Sequence, residues 1–100
     1  MKSIFTFTDY RKYILEWKWY NKYSYGHIGY LMNSSDSYLV EVMNHKKGLG
    51  KNTVSKLVIV FRFDFDEEVY FRALVSYSDS KNKRDQWFFK KMMKMVKDSL

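Results

Sequence analysis

The sequence contains no proline, no cysteine and only four glycines in 100 residues. Without proline, no segment carries the residue that most strongly breaks helices. Without cysteine there is no disulfide, no thiolate metal site and no cysteine nucleophile, so a zinc finger or export to an oxidising compartment is unsupported. These absences favour helices and predict a protein of the reducing cytoplasm.

Hydrophobic runs are also short. No segment approaches the ~20 consecutive apolar residues that a membrane-spanning helix requires. The N-terminus meets Asp9, Arg11 and Lys12 before the apolar region of a signal peptide could form. The sequence therefore predicts a soluble, unprocessed protein without a membrane partner.

Aromatic residues and positive charge are abundant. The chain has nine Tyr, eight Phe and three Trp, and each buried ring removes roughly 150–250 Å² from water, which is enough for one modest core. The net charge is +7, and residues 81–100 hold seven basic against two acidic residues. A basic protein favours polyanions, of which nucleic acid is the commonest in a cell.

Short polar clusters divide the chain, and each resembles a helix cap. Asp9 (or Thr8) and Ser24 precede segments whose apolar residues follow helical spacing. The third helix follows a tight turn, Asn33-Ser34-Ser35-Asp36, because Asn tolerates the left-handed conformation. The predicted helices cover residues 10–23, 25–32, 37–45, 52–63, 65–77 and 83–99.

Segment 57–65 is ambiguous, because its odd-numbered apolar residues alternate as in a β-strand, whereas positions 54, 57, 58 and 61 follow helical spacing. Two observations favour the helix. Asp64 and Glu67 come close to a capping box for a new helix, and a lone strand would have no partner. We therefore predict an all-α bundle of five or six helices in all, with residues 1–80 as its main part and 81–100 as a basic amphipathic helix that packs on the bundle or extends it.

Several side chains are assigned to a face from helical spacing alone. The apolar side of the last helix is predicted to hold Trp87, Phe88, Met92, Met95 and Val96. Its basic side is predicted to hold Lys90, Lys91, Lys94 and Lys97. On the first helix, the residues predicted to face solvent are Arg11, Lys12, Lys18 and Lys22. The three tryptophans, Trp17, Trp19 and Trp87, have the spacing of core residues, although such rings can also stack on bases.

The second and third helices have the spacing of a helix-turn-helix. Such a unit needs a small residue where its helices touch, which Gly29 supplies, and a residue tolerant of positive φ in the turn, which Asn33 supplies. Leu39, Val42 and Met43 are predicted to pin the third helix, so that its outer face enters the major groove of DNA.

The residues predicted to face that groove are Ser34, Ser35, Ser37, Tyr38 and Glu41. Hydroxyl groups can meet base edges or phosphates, but the serines could equally cap the helix and Tyr38 could pack in the core. The residues predicted to hold phosphates are Lys46, Lys47 and Lys51. Asp36 and Glu41 count against groove contact, because carboxylates repel phosphates.

The chain carries, in this order, Ser3-Ile4-Phe5, Thr8-Asp9-Tyr10-Arg11-Lys12-Tyr13, Ser24-Tyr25, Ser34-Ser35, Tyr38-Leu39, Val42-Met43, Lys46-Lys47, Leu49, Tyr70-Phe71, Leu74-Val75 and Phe88-Phe89. With this order and spacing it resembles a family of uncharacterised bacterial proteins classed as transcriptional regulators, with a lambda-repressor-like N-terminal region. The resemblance implies a lambda-repressor-like helical bundle and a DNA-binding role inferred from that fold. The chain departs from the family in a turn one residue shorter and in His45, where the family has glycine.

The sequence favours sequence-specific binding of duplex DNA for transcription regulation, as a homodimer, because one unit covers only a half-site. One alternative is a degenerate helix-turn-helix that binds a protein through its methionine-rich last helix. Another is non-specific binding of nucleic acid by residues 81–100.

An enzyme is not predicted. The acidic cluster of residues 64–68 suits the N-terminus of a helix through its dipole. His27 and His45 have no cysteine or paired carboxylate to complete a metal set, and no nucleophile or phosphate-loop motif is present. No cofactor, metal or small-molecule substrate is expected.

Overall fold

A computed structural model describes residues 1–35 and 37–100 of the chain. Within them it forms an N-terminal 3-10 turn, Ile4–Thr6, and six α-helices without any strand. The helices are α1 Tyr10–Asn21, α2 Tyr25–Leu31, α3 Tyr38–Met43, α4 Lys51–Val60, α5 Phe65–Asp79 and α6 Lys83–Asp98. The predicted all-α bundle is confirmed, and the ambiguous segment is helical. Asp36, the last position of the predicted turn, lies outside the described residues.

The helices begin at residues that the sequence marked as caps. The Asp9 carboxylate accepts a hydrogen bond from the Arg11 amide at 2.9 Å, and the Ser24 hydroxyl accepts one from the His27 amide at 3.0 Å. Asp64 and Glu67 form a complete capping box, in which each side chain accepts from the other residue's amide. That box separates α4 from α5.

Four helices end on a left-handed residue other than glycine in the described part of the chain. These residues are Lys22, Asn33, His45 and Arg62, with φ between 54° and 61°. The amide of the following residue donates to the carbonyl five positions back, as in the bond from Lys46 to Glu41 at 2.9 Å, which is the bond of a Schellman motif. With so few glycines, this chain accepts the steric cost of a Cβ at these ends.

Replacing His45 with glycine is expected to raise the free energy of unfolding by about 0.5–1 kcal/mol, because the left-handed strain disappears and the exposed imidazole loses little packing. Urea denaturation followed by circular dichroism measures the change. His45→Ala is the control, since it keeps the Cβ and should bring no gain. Equal stabilisation by both variants would contradict the assignment of strain to this residue.

The core is built around α5 and an aromatic cluster. Phe71 is fully buried on α5, and its ring lies 5.2 Å from that of Phe63, 5.9 Å from that of Phe61 and 6.4 Å from that of Tyr13. The α4 side chains at positions 54, 57 and 58 and Phe61 are also buried, as their helical spacing predicts.

Helix α6 packs against α5 through only part of its predicted apolar side. Met93 is buried and Met92 and Val96 are partly buried, whereas Trp87 is 62% exposed and Phe88 and Met95 are also exposed. Apolar residues lie around more than half of the circumference of α6, so spacing alone did not select the buried side. The placement of Trp87 in the core was wrong, and Phe88 and Met95 belong to the predicted apolar side but face solvent.

Of the other tryptophans, Trp17 packs against the core, as predicted. Trp19 is 71% exposed, so its placement in the core was wrong. Among the described residues, no helix combines the length and the apolar character needed to cross a bilayer.

Candidate nucleic-acid interface

Helices α2 and α3 and the turn between them form one closely packed unit. A Cβ placed on Gly29 would lie 3.1 Å from the Ser35 carbonyl oxygen, so a side chain here would require the turn to shift by a few tenths of an ångström. Asn33 has φ 54°, and the Ser34 amide donates to the Gly29 carbonyl at 2.9 Å. The positive φ predicted for Asn33 is confirmed, and the close approach at Gly29 is to the turn, not to α3.

Helix α3 is held by its inner side and open on its outer side. Leu39 and Val42 are fully buried, and Met43 packs against the core. On the outer side Val40 is 41% exposed, and Ser37 and Asn44 are exposed as well. These three positions follow an i, i+3, i+7 pattern, which places them on one face of the helix.

Val40 and Asn44 were not among the predicted site residues. Their signal was present in the sequence, since the pinning residues at 39, 42 and 43 leave 37, 40 and 44 on the opposite face. An apolar side chain can contact the thymine methyl group, and asparagine can form a bidentate pair with adenine. The outer face of α3 therefore carries side chains that can distinguish bases.

Tyr38 and Glu41 are engaged within the motif. The Tyr38 hydroxyl accepts from the Thr53 hydroxyl at 3.2 Å and donates to the Gly48 carbonyl at 3.5 Å. Glu41 pairs with Lys47 at 2.6 Å. The hydrogen bond and charge of Lys47 hold the pKa of Glu41 below its ordinary value, and the hydrogen bond to Glu41 raises the pKa of Lys47.

These contacts join α3 to the loop after it. Tyr38 is half-buried, and Glu41 and Lys47 neutralise each other, so the three residues position α3 and its loop. That any of them also touches DNA stays a prediction.

The three serines differ in their surroundings. Ser34 is half-buried, and its hydroxyl donates to the Gly29 carbonyl at 3.4 Å, so it ends α2. Ser35 and Ser37 are exposed, and Ser37 makes no side-chain capping bond within the described structure. Ser35 and Ser37 are therefore the more solvent-exposed of the three serines.

Lys46 and Lys51 are exposed on either side of the loop between α3 and α4. Lys51 is the first residue of α4. The N-cap residue of this helix is Gly50, which has no side chain with which to cap the first amides. The positive end of the α4 dipole therefore lies beside a lysine, an arrangement that favours anions.

The loop after α3 is fixed by a group of residues from distant parts of the chain. The Asp79 carboxylate accepts from the Tyr10 hydroxyl at 2.8 Å and from the Leu49 amide at 3.1 Å. It also lies 3.5 Å from the guanidinium of Arg11. We call these four residues the Asp79 clamp.

Arg11 extends the clamp to α3. Its Nε donates to the Val42 carbonyl at 2.7 Å, and a second nitrogen donates to the Lys47 carbonyl at 3.3 Å. The Arg11 side chain is only 11% exposed, so its placement on the solvent face of the first helix was wrong. Burial and the Asp79 carboxylate raise the pKa of Tyr10 far above its ordinary value, which keeps this phenol a neutral donor.

Comparison with known proteins finds no protein-family model, no curated protein and no solved structure that matches this chain. The resemblance to bacterial transcriptional regulators therefore stays a prediction. Among the described residues, no group of three or more histidine or carboxylate side chains could hold a metal ion.

Proposed function

We propose that this protein binds duplex DNA by placing the outer face of α3 in the major groove, as a helix-turn-helix regulator of transcription does. The observation that carries the proposal is the two-sided character of α3. Leu39 and Val42 are fully buried on one side, and Ser37, Val40 and Asn44 lie towards solvent on the other. A short helix held in this way can enter a groove without disturbing its own core.

The surroundings of α3 suit the phosphate backbone. Lys46 and Lys51 are exposed beside it, and the Asp79 clamp holds the intervening loop through the Leu49 amide. Lysines on a fixed loop can contact phosphates on either side of an inserted helix. One such unit reads a half-site, so the proposal includes a homodimer on a two-fold symmetric site.

The test is fluorescence anisotropy with a labelled random duplex across a salt series from about 50 to 200 mM. Replacing Lys46, Lys47 and Lys51 together with glutamine is expected to lower the log–log salt slope by about 2, because each phosphate contact contributes roughly 0.9 and Lys47 is already paired with Glu41. A control variant, Lys12, Lys56 and Lys81 to glutamine, removes the same charge from other exposed positions and should leave the slope nearly unchanged. Equal losses in both variants, or no binding at low salt, would refute the proposal.

A second arm of the experiment tests base recognition. A preferred site is selected from random duplexes, and Asn44→Ala is compared with the wild type on that site and on unrelated DNA. The variant should lose roughly tenfold affinity for the selected site, the order of one bidentate base contact, and little for unrelated DNA. Equal losses on both sequences would show that Asn44 does not read bases.

A second function has specific support. Tyr38 and Glu41 are engaged within the motif, and Trp87, Phe88 and Met95 are exposed on α6. These observations favour a protein-interaction module built on a degenerate helix-turn-helix. If the duplex experiment shows no binding at low salt, this function takes precedence.

A further inference from the structure

Helix α6 borders a groove that is separate from the α3 surface. The groove has a volume of about 570 Å³ and is open along one side. Its α6 side carries Trp87, Lys90, Lys94, Lys97 and the acidic Asp98, and Thr8 and Tyr70 also line it. We call it the α6 groove.

The lysines of the α6 groove form a row along the helix. Lys90, Lys94 and Lys97 follow an i, i+4, i+7 pattern, so they lie on one side of α6 over about 10 Å. Lys94 pairs with Asp98 at 3.1 Å, but both side chains are well exposed, at 71% and 65%. A pair this exposed contributes little and is readily exchanged, so the row remains a positive surface able to contact successive phosphates.

Trp87 lies at one end of this row with 62% of its surface exposed. The ammonium group of Lys91 is 5.6 Å from the centre of its ring. Aromatic rings beside a basic row are the usual arrangement of single-stranded nucleic-acid sites, where the ring stacks on a base and the lysines hold the phosphates.

We propose that the α6 groove binds single-stranded nucleic acid, with Lys90, Lys94 and Lys97 on the phosphates and Trp87 stacked on a base. The volume of the groove is that of a pocket for a small molecule. It can accept a nucleotide or two of a flexible strand, but it is too small for a duplex.

An anionic bilayer fits this surface less well. The lysines line a concave groove, whereas a bilayer meets the outer surface of a helix. Met92, Met93 and Val96 pack against the bundle, and the exposed Phe88 and Met95 lie on the side of α6 away from the lysine row, so one bilayer surface cannot meet both.

The test uses a fluorescein-labelled oligothymidylate of about ten nucleotides, a length typical of such sites. Replacing Lys90, Lys94 and Lys97 with glutamine is expected to lower the log–log salt slope by about 2, because each phosphate of a single strand contributes roughly 0.7. Trp87→Ala is expected to weaken binding roughly tenfold through the loss of stacking, with the salt slope unchanged. Thermal denaturation verifies that both variants remain folded.

Two controls separate this site from the α3 surface and from general charge. The variant lacking Lys46, Lys47 and Lys51 should bind the oligothymidylate like the wild type, and so should the variant lacking Lys12, Lys56 and Lys81. If either control variant lost as much affinity for the oligothymidylate as the variant lacking Lys90, Lys94 and Lys97, the proposal would be overturned. It would also be overturned by binding of the wild type to phosphatidylserine vesicles but not to the oligothymidylate, which would assign α6 to membranes.

Discussion

Replacing Asp79 with alanine is expected to lower the free energy of unfolding by about 3 kcal/mol, which corresponds to roughly 15 °C in melting temperature for a domain of this size. The carboxylate accepts hydrogen bonds from the Tyr10 hydroxyl and the Leu49 amide and forms an ion pair with the Arg11 guanidinium. Its removal leaves a nearly buried cation and two donors without their partner, and each such group costs about 1–3 kcal/mol. Urea denaturation followed by circular dichroism measures the loss.

Tyr10→Phe is the matched control, because it removes one hydrogen bond of the Asp79 clamp together with its donor. It should cost only about 1 kcal/mol. Gly48 provides a second control, since a Cβ there would lie 2.5 Å from the Asp79 carboxylate oxygen. Gly48→Ala should therefore be destabilising in the wild type and nearly neutral in the Asp79→Ala background. An Asp79→Ala loss no larger than that of Tyr10→Phe would show that the clamp is not a stabilising unit.

The clamp also links the stability of the fold to the α3 surface. Arg11 donates to carbonyls of Val42 and Lys47, so the clamp holds both the end of α3 and the loop that carries the lysines. Loss of Asp79 should loosen this loop, whereas loss of Lys46 and Lys51, which are exposed, should leave the stability unchanged. In the same DNA-binding experiment, the Asp79 variant therefore tests the positioning of the loop, and the lysine variants test direct contact with phosphates.

The helix boundaries could be predicted because their causes are local. The caps at Asp9, Ser24 and Asp64 each accept from an amide two or three residues further along the chain. Asn33 adopts positive φ for a reason that belongs to the residue itself. Segment 57–65 was resolved in the same way, because the capping box at its end required one helix to stop and another to start.

Contacts between distant residues could not be predicted. Asp79 lies 69 residues from Tyr10 and 30 from Leu49, and its position at the end of α5 resembled that of any exposed carboxylate. Arg11 appeared to belong to a basic face until α3 was placed beside it. The buried side of α6 was decided by α5, which selected Met93 over Trp87 and Met95.

In the candidate site, too, the features with local causes could be predicted, and those that depend on contacts between distant residues could not. Asn33 follows from its residue type and Leu39 and Val42 follow from helical spacing, and the structure bears each of them out. The residues predicted to face the groove were harder to assign, because a polar side chain on the surface of α3 can instead form hydrogen bonds with other parts of the protein. Tyr38 is taken up by Thr53 and Gly48, whose contact with it follows only from the packing of α4.

Replacing Phe71 with alanine is expected to cost about 3–5 kcal/mol, comparable with the whole stability of a marginal domain, so part of the population should unfold at room temperature. Phe71 is fully buried, and its ring joins α5 to Tyr13 of α1 and to Phe61 and Phe63 between α4 and α5. Alanine would leave a cavity bordered by rigid rings, which cannot collapse to fill it. The loss is measured as the shift of the urea midpoint at constant slope.

Phe65→Ala makes the same chemical change on the same helix, at a ring that is 77% exposed. Its cost should stay below about 0.5 kcal/mol, because little apolar surface returns to water. The difference between the two variants isolates burial from helix propensity, since both place alanine in α5. Similar losses would mean that the aromatic cluster does not hold the helices together. Some other contact would then have to hold α3 in place, with one side buried and the other exposed.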